Sequence, residues 1–327
     1  MDISQVLSNI EKRFGKEAVS GNQIDAHFIS SGCIGLDAAL GGGICTGRIV
    51  EYMGWESSGK SSMALHLAAE VQKTGKKVAY IDVENALDLF YAESLGVDCK
   101  IGQPNSNFFL SQPDCGEDAL EIVREFSKAS DIGLIVIDSV AALVPKAVIQ
   151  GEAGDAKMGL LARMMSAMIP TLISTARKND CIVLFISQYR EKIGVMFGSP
   201  VTTTGGNALK FYASQRVEFG KAGQEKEGDE IVATKIRAKV MKNKVAPPFK
   251  QAQFNIIFGV GIDKIGEVID IAVEQEIISK KGSWFSYQDT KLGQGSNAAK
   301  LLLQDNPELF EEIDKKVRIN LGLTEEL

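Results

Sequence analysis

From about residue 32 onward, short apolar runs alternate with stretches in which apolar residues recur at helical spacing. RIVEYM precedes SMALHLAAEVQKTG, KVAYIDV precedes EDALEIVREFSKA, and GLIVIDS precedes a long helical pattern ending at Lys178, before a further apolar run, CIVLFIS. Such βαβ alternation predicts an α/β fold with a mostly parallel central sheet flanked by helices. After Gln215 the runs become closely spaced and strand-like (RVEFG, IVATKIRAKVMKN, FKQAQFNIIFG), broken by Gly, Pro and charge. They predict antiparallel additions to the same sheet, within one core spanning residues 32–262.

Upstream, in residues 1–31, Ile3, Val6, Leu7, Ile10 and Phe14 share one helical face and predict an amphipathic helix over 3–19, with Gly21 as its stop. Downstream, residues 263–327 return to helical patterns around GSWFSYQDTKLG and predict a small separate α/β domain. The 327 residues, 45% hydrophobic and 24% charged, suffice for a sizeable core. No apolar stretch approaches the roughly 20 residues of a membrane span, and MDISQVLSNIEKRFGK lacks the features of a signal peptide. A cytoplasmic protein without a membrane partner is expected. Five scattered cysteines without a CxxC pair are read as packing residues. Two histidines, His27 and His66, are too few for a zinc cluster or a Ser-His-Asp arrangement and are read as structural. The net charge of -6 argues against nucleic acid, but Arg190 to Lys250 carries twelve Lys/Arg against six Asp/Glu.

The segment Gly54, Trp55, Glu56, Ser57, Ser58, Gly59, Lys60, Ser61 fulfils GxxxxGK[ST], followed by Ser62. Glycines let backbone N–H groups curl around phosphate oxygens, Lys60 neutralises the β/γ charge, and Ser61 offers a hydroxyl to Mg²⁺. A strand before the motif and a helix after it add the attraction of a helix N-terminus, so ATP with Mg²⁺ is expected. LIVIDS ends in Asp138, placed to reach the metal's outer shell. VAYIDV leads to Glu84, which would lie beside the γ-phosphate if its strand adjoins the P-loop strand. It is the candidate general base, the other reading being a surface carboxylate or a cap for the next helix. CIVLFIS ends at Gln188, whose neutral amide can sense a γ-phosphate.

GRIVEYMGWESSGKSS, AYIDVENALD, SQPDCGEDALEI, VIDSVAALVPKA, GVMFGSPVTTTGGNALKFYAS and KVMKNKVAPPFKQ together resemble the bacterial RecA recombinase family, from IEKRFGK to PELFEEIDKKVR. The resemblance implies a P-loop RecA-like ATPase core with Glu84 as catalytic glutamate, Asp138 as Walker B carboxylate and Gln188 as γ-phosphate sensor. It implies that Asp88 and Tyr91 hold the adenine. Lys242 and Lys244, which alone read as a solvated charge run, would reach a neighbouring subunit's γ-phosphate. The partners implied are single-stranded DNA, homologous duplex DNA, and further copies of the chain in a head-to-tail helical filament. A LexA-like repressor and loading mediators would follow. The reaction would be DNA-dependent ATP hydrolysis coupled to strand exchange in recombination and repair, with SOS co-protease activity.

Two loops, Gln150 to Lys157 and Tyr189 to Thr204, match the family's DNA-facing segments. Met158, Ile193 and Phe197 are apolar candidates against bases, with core packing open for Met158 and Phe197. Arg163, Arg190, Lys192 and the amides around Gly205 and Gly206 are phosphate candidates. The N-terminal helix would be a polymerisation face or would pack within its own chain. Lys280, Lys281, Trp284, Tyr287 and Lys291 form a cluster that either guides duplex DNA or stabilises the fold.

The chain departs from the family at several positions. Trp55 stands for a proline, Ser187 for an asparagine, Asn85 for a histidine, Phe258 for a tyrosine, Val201 for an acidic residue, and Pro170 interrupts a helix. CKIGQPNSNFF, over residues 99–109, lengthens a connection. Trp55 and Ser187 keep open an ATP-switched structural or regulatory DNA filament with weak hydrolysis. A hexameric RecA-fold helicase is the other alternative.

Overall fold

A computed structural model describes residues 2–15, 26–103, 105–151, 159–191 and 201–324. Helix α1 (Ile3–Phe14) begins the chain, and a short pair, β1 (Phe28–Ile29) with β2 (Ile44–Cys45), brackets α2 (Ile34–Leu40). The core continues through β3 (Ile49–Gly54), α3 (Lys60–Lys73), β4 (Lys77–Asp82), α4 (Leu89–Ser94), β5 (Phe108–Ser111) and α5 (Gly116–Phe126). After β6 (Ile132–Asp138) come a 3₁₀ turn (Val140–Ala142), α6 (Lys146–Ile149), α7 (Leu160–Lys178), β7 (Ile182–Glu191), β8 (Val201–Thr203) and α8 (Ala208–Tyr212).

The last core strands are β9 (Gln215–Glu227), β10 (Glu230–Asn243), β11 (Gln251–Ile257) and β12 (Gly261–Ile262). Among the described residues the central sheet runs β12-β11-β10-β9-β3-β7-β6-β4-β5, with β8 paired to the end of β7. Strands β9, β3, β7, β6, β4 and β5 are mutually parallel, so RVEFG, expected as an antiparallel addition, instead extends the parallel part as β9 beside β3; β10 to β12 are the antiparallel additions.

Alternation along the parallel strands feeds two apolar layers. Val50, Tyr52, Leu184 and Ile186 face α2 and α3, with Met63, Leu67 and Val71. Ile49, Ile135, Val183 and Phe185 face α5 and α7, with Leu120, Ile169 and Leu172. Helix α7 runs unbroken through Pro170, so the expected interruption is not seen. The ring only removes one N–H, and both flanking turns are held by Met165, Ile169 and Leu172 in the core.

Residues beyond the core form α9 (Lys264–Glu274), a three-stranded sheet of β13 (Ser279–Lys281), β14 (Trp284–Tyr287) and β15 (Thr290–Gln294), then α10 (Ser296–Asp305) and α11 (Pro307–Asn320). They enclose a third cluster around Val268, Ile269, Phe285, Leu303 and Ile313. Helix α1 ends at Gly15, earlier than the stop expected at Gly21, because Gly15 takes a positive φ of 90° and breaks the helical path. None of its residues is buried, and Ile3 and Phe14 are each 67% exposed, so the described part of its own chain does not cover the apolar stripe.

All five cysteines are buried and free; burial pushes the Cys181 thiol up to about 12. His66 on α3 accepts the Ile262 N–H at Nε2, 3.0 Å away, which ties the P-loop helix to β12. Burial, reinforced by Lys264, lowers its pKa from 6.5 to about 4. The folded state therefore binds fewer protons than the unfolded state between those values, and His66 costs stability as pH falls through that window. The loss approaches about 3 kcal/mol below pH 4. Urea unfolding at pH 7 and pH 4.5 should show a fall in midpoint that is smaller in His66→Gln; an equal fall in both would remove His66 from the explanation.

Candidate active site

The loop from β3 to α3 places its backbone where only glycine fits. At Gly54, φ is 155°, and a Cβ would come within 2.1 Å of the Phe219 carbonyl oxygen on neighbouring β9. The loop thus turns directly off the sheet edge and into the N-terminus of α3, with Gly59 as N-cap. An open pocket of about 230 Å³ results, lined by Glu56, Ser57, Ser58, Gly59, Lys60, Ser61, Ser62, Glu84, Asp138, Ile186 and Gln188. A larger cleft, about 1040 Å³, lies between β11, α2 and α9. It mixes Lys235, Lys250, Glu267 and Asp270, and the Gly35 N–H at the start of α2 is already taken by the Glu267 carboxylate at 2.9 Å, so the chemistry points to the smaller pocket.

Lys60 Nζ donates to the Trp55 and Gly54 carbonyls, at 2.7 and 3.2 Å, and to Ser58 Oγ at 3.3 Å. Burial lowers its pKa, opposed by Asp138, Glu84 and Glu56. Ser61 Oγ and the Tyr80 hydroxyl both donate to Asp138 Oδ2 at 2.7 Å. Burial raises the Asp138 pKa against those two bonds. A serine hydroxyl beside a carboxylate is a hard-oxygen pair that suits Mg²⁺, an ion that keeps water and phosphate oxygens as its remaining ligands. Among the described residues no group of three or more His, Cys, Asp or Glu could hold a metal without such help.

Strand β4 does not adjoin the P-loop strand; β7 and β6 lie between them. Glu84 reaches the pocket through the loop after β4 instead. The Val83 and Glu84 N–H groups donate to the Asp138 carbonyl at 2.9 and 3.4 Å, and Asp82 holds the Ala86 and Leu87 N–H groups. The Glu84 carboxylate accepts from Ser139 Oγ and from Gln188 Nε2, the latter at 3.0 Å. The cap of the next helix is Asp88, which accepts from the Tyr91 N–H at 3.1 Å, so Glu84 is free of that role. The Tyr91 hydroxyl donates to Ser62 Oγ at 3.0 Å, which sets its ring beside the start of α3. Strand β7 does not stop at Gln188 but runs to Glu191 and pairs with β8, turning the stem of the second loop into a hairpin.

Lys242 and Lys244 lie far from this pocket in their own chain. Lys242 stands opposite Arg216, which stands opposite Glu51. Lys244 N–H donates to Ser214, whose N–H donates to Ile49. That puts Lys244 level with the start of β3, roughly 16 Å along the strand from Gly54. Lys242 Nζ rests on the carbonyls of Lys210 and Phe211, at 2.7 and 2.9 Å, at the end of α8. Burial and the adjacent Lys244 lower its pKa.

Of the DNA candidates, Arg163 and Arg190 are exposed, on α7 and at the end of β7. Gly205 and Gly206 lead into α8, packed against Val140 and Ala162, which brings Gly206 next to the α7 turn that carries Arg163. Met158, Lys192, Ile193 and Phe197 lie outside the described residues. In the C-terminal cluster, Tyr287 is buried and bonded to Glu312 at 2.5 Å, whereas Trp284 is half exposed. Tyr287 therefore belongs to the core, and the exposed part is Trp284 with the lysines. Tyr80 and Ser139, buried behind the pocket and bonded to its carboxylates Asp138 and Glu84, were not expected from the sequence. Their signal is strand register, since β4 and β6 pair residue by residue up to Asp82 and Asp138.

A P-loop between a central parallel strand and its helix, with a carboxylate two strands away, defines a P-loop α/β protein of the RecA-like class. The family described as RecA N-terminal domain matches residues 1–263, and that described as RecA C-terminal domain matches residues 266–322. The chain belongs to the RecA family. It is 51% identical to Protein RecA of Clostridioides difficile over 99% of this chain and 93% of that one. It is 53% identical to Protein RecA of Porphyromonas gingivalis ATCC 33277, over 97% and 93%. No helix among the described residues is long and apolar enough to cross a membrane.

Proposed function

We propose that the chain is a single-stranded-DNA-dependent ATPase that assembles head to tail on single-stranded DNA and carries out homologous pairing and strand exchange in the cytoplasm. The observation that carries this reading is a charge deficit. Among the described residues lining the phosphate pocket, Lys60 is the one cation against Glu56, Glu84 and Asp138. A triphosphate adds further negative charge, so the site needs cations from elsewhere. Lys242 and Lys244, neighbours on the far side of the strands from the P-loop with Lys242 partly desolvated, are suited to supply them to the next subunit. Such a contact between unlike surfaces builds an open helix.

Within one pocket the P-loop amides and Lys60 hold the β- and γ-phosphates, and Ser61 with Asp138 would hold Mg²⁺. When bound, the ion spreads the developing phosphate charge. Glu84 accepts a proton from the attacking water, and Ser139 fixes the carboxylate that does so. Gln188 donates to Glu84, and a γ-phosphate oxygen offers its amide a competing acceptor. Nucleotide state thereby reaches the β7–β8 hairpin and the DNA-facing segment between its strands. Arg163, Arg190 and the Gly205–Gly206 amides form the described part of a sequence-tolerant phosphate grip. A LexA-like repressor and loading mediators are the further partners this reading carries.

ATP hydrolysis with and without single-stranded DNA, together with strand exchange between a circular single strand and its homologous duplex, tests the proposal. Both activities are expected, and Lys60→Ala should lose nucleotide-dependent DNA binding. Filaments without either activity would overturn the enzyme reading in favour of an ATP-switched coat.

A further inference from the structure

Tyr189 is held from two sides. Its ring meets the edge of the Trp55 indole at a centroid distance of 5.9 Å and an interplanar angle of 76°. Its hydroxyl donates to Glu218 Oε2 at 2.9 Å. Trp55 belongs to the P-loop, and Glu218 stands opposite Met53 on β9. The P-loop, β7 and β9 therefore converge on one side chain. Burial, then the bond to Glu218, pushes the phenol above its ordinary range, which keeps the hydroxyl a donor.

Gln188 directly precedes Tyr189, and neighbouring residues of a strand point to opposite faces. Gln188 enters the phosphate pocket, where it pairs in register with Gly54 and bonds Glu84. Tyr189 lies on the other face, the one carrying Glu51, Ser187 and Arg216. A twist of β7 that draws Gln188 toward a phosphate must swing Tyr189 the opposite way, against the indole edge. An edge contact between rings is worth about 0.5–1.5 kcal/mol beyond its area. That is enough to bias a side-chain angle without freezing it.

We propose that Tyr189 is a positioning residue: braced between Trp55 and Glu218, it sets the angle at which β7 presents Gln188 to Glu84, and it returns the position of Gln188 to the P-loop. The proposal rests on the ATPase reading and refines it at Tyr189, which does not itself line the phosphate pocket.

The chain holds two tryptophans, Trp55 and Trp284, so in a Trp284→Phe background, excited at the red edge where tyrosine does not absorb, Trp55 is the sole emitter. Mg-ADP and a non-hydrolysable ATP analogue are titrated against it. The analogue is expected to change Trp55 emission clearly more than ADP does. Tyr189→Ala should erase that difference and lower kcat about tenfold, as a displaced catalytic geometry does, with KM for ATP within about threefold. Tyr189→Phe keeps the ring and should restore the emission difference and most of the lost kcat. Wild-type kcat in Tyr189→Ala, an emission difference that survives it, or a Tyr189→Phe variant as impaired as Tyr189→Ala each overturns the proposal. Absence of hydrolysis by the unsubstituted protein is instead a failure of the ATPase reading, since the emission readout needs no turnover.

Discussion

Alanine at both Lys242 and Lys244 is expected to lower DNA-dependent kcat by about 10³-fold or more, the scale of a charge supplied in trans to phosphoryl transfer. The P-loop should still bind ATP, because Gly54 lies roughly 10 Å along the strand from Lys242 and roughly 16 Å from Lys244. The decisive measurement is a mixture. A Lys60→Ala subunit has intact lysines and a crippled pocket, whereas the double variant has the reverse. Where subunits alternate, the lysines of the first complete the pocket of the second. Turnover absent from either alone should therefore return on mixing. A silent mixture of co-assembled subunits would rule out action of the lysines in trans and would remove the filament mechanism with it.

Local patterns carried most of the fold. The βαβ alternation up to Cys181 and the closer spacing from β10 onward translate into parallel and antiparallel parts of one sheet, with β9 the exception because it pairs parallel to β3. Strand order is different in kind. Nothing local says that β7, 100 residues beyond β4, inserts next to β3 while β4 moves two places out. For that reason the sequence could place Glu84 beside the γ-phosphate only on the condition that its strand adjoins the P-loop strand; it does not, and Glu84 is delivered by a loop held on Asp138 and Asp82. Tyr80 and Ser139 were invisible for the same reason, since their contacts with Asp138 and Glu84 exist only once β4 and β6 are in register. Helix ends were read less well than helix faces. Gly15 stops α1 with a backbone angle directly after Phe14, the last position of the apolar stripe, whereas the stop was expected at Gly21.

Glu84→Gln is expected to keep ATP binding and filament assembly and to lower turnover by about 10²- to 10⁴-fold, the usual contribution of a positioned base. The substitution preserves volume and still accepts from Ser139 Oγ and Gln188 Nε2 through its amide oxygen, so the pocket's hydrogen bonds survive. What it removes is proton-accepting capacity, together with one negative charge in a pocket that has Lys60 as its one cation among the described lining residues. Removing that charge favours the triphosphate ground state, so KM for ATP should hold or fall while kcat collapses. Filaments of Glu84→Gln should accordingly persist on single-stranded DNA in ATP, where unsubstituted filaments turn over. The split is informative in both directions. A variant that loses KM and kcat together would make Glu84 a binding group, and one with ordinary kcat would shift the base to another atom. Ser139→Ala separates positioning from chemistry. It leaves the carboxylate in place but frees its angle, and it should fall between the unsubstituted protein and Glu84→Gln, with its loss confined to kcat.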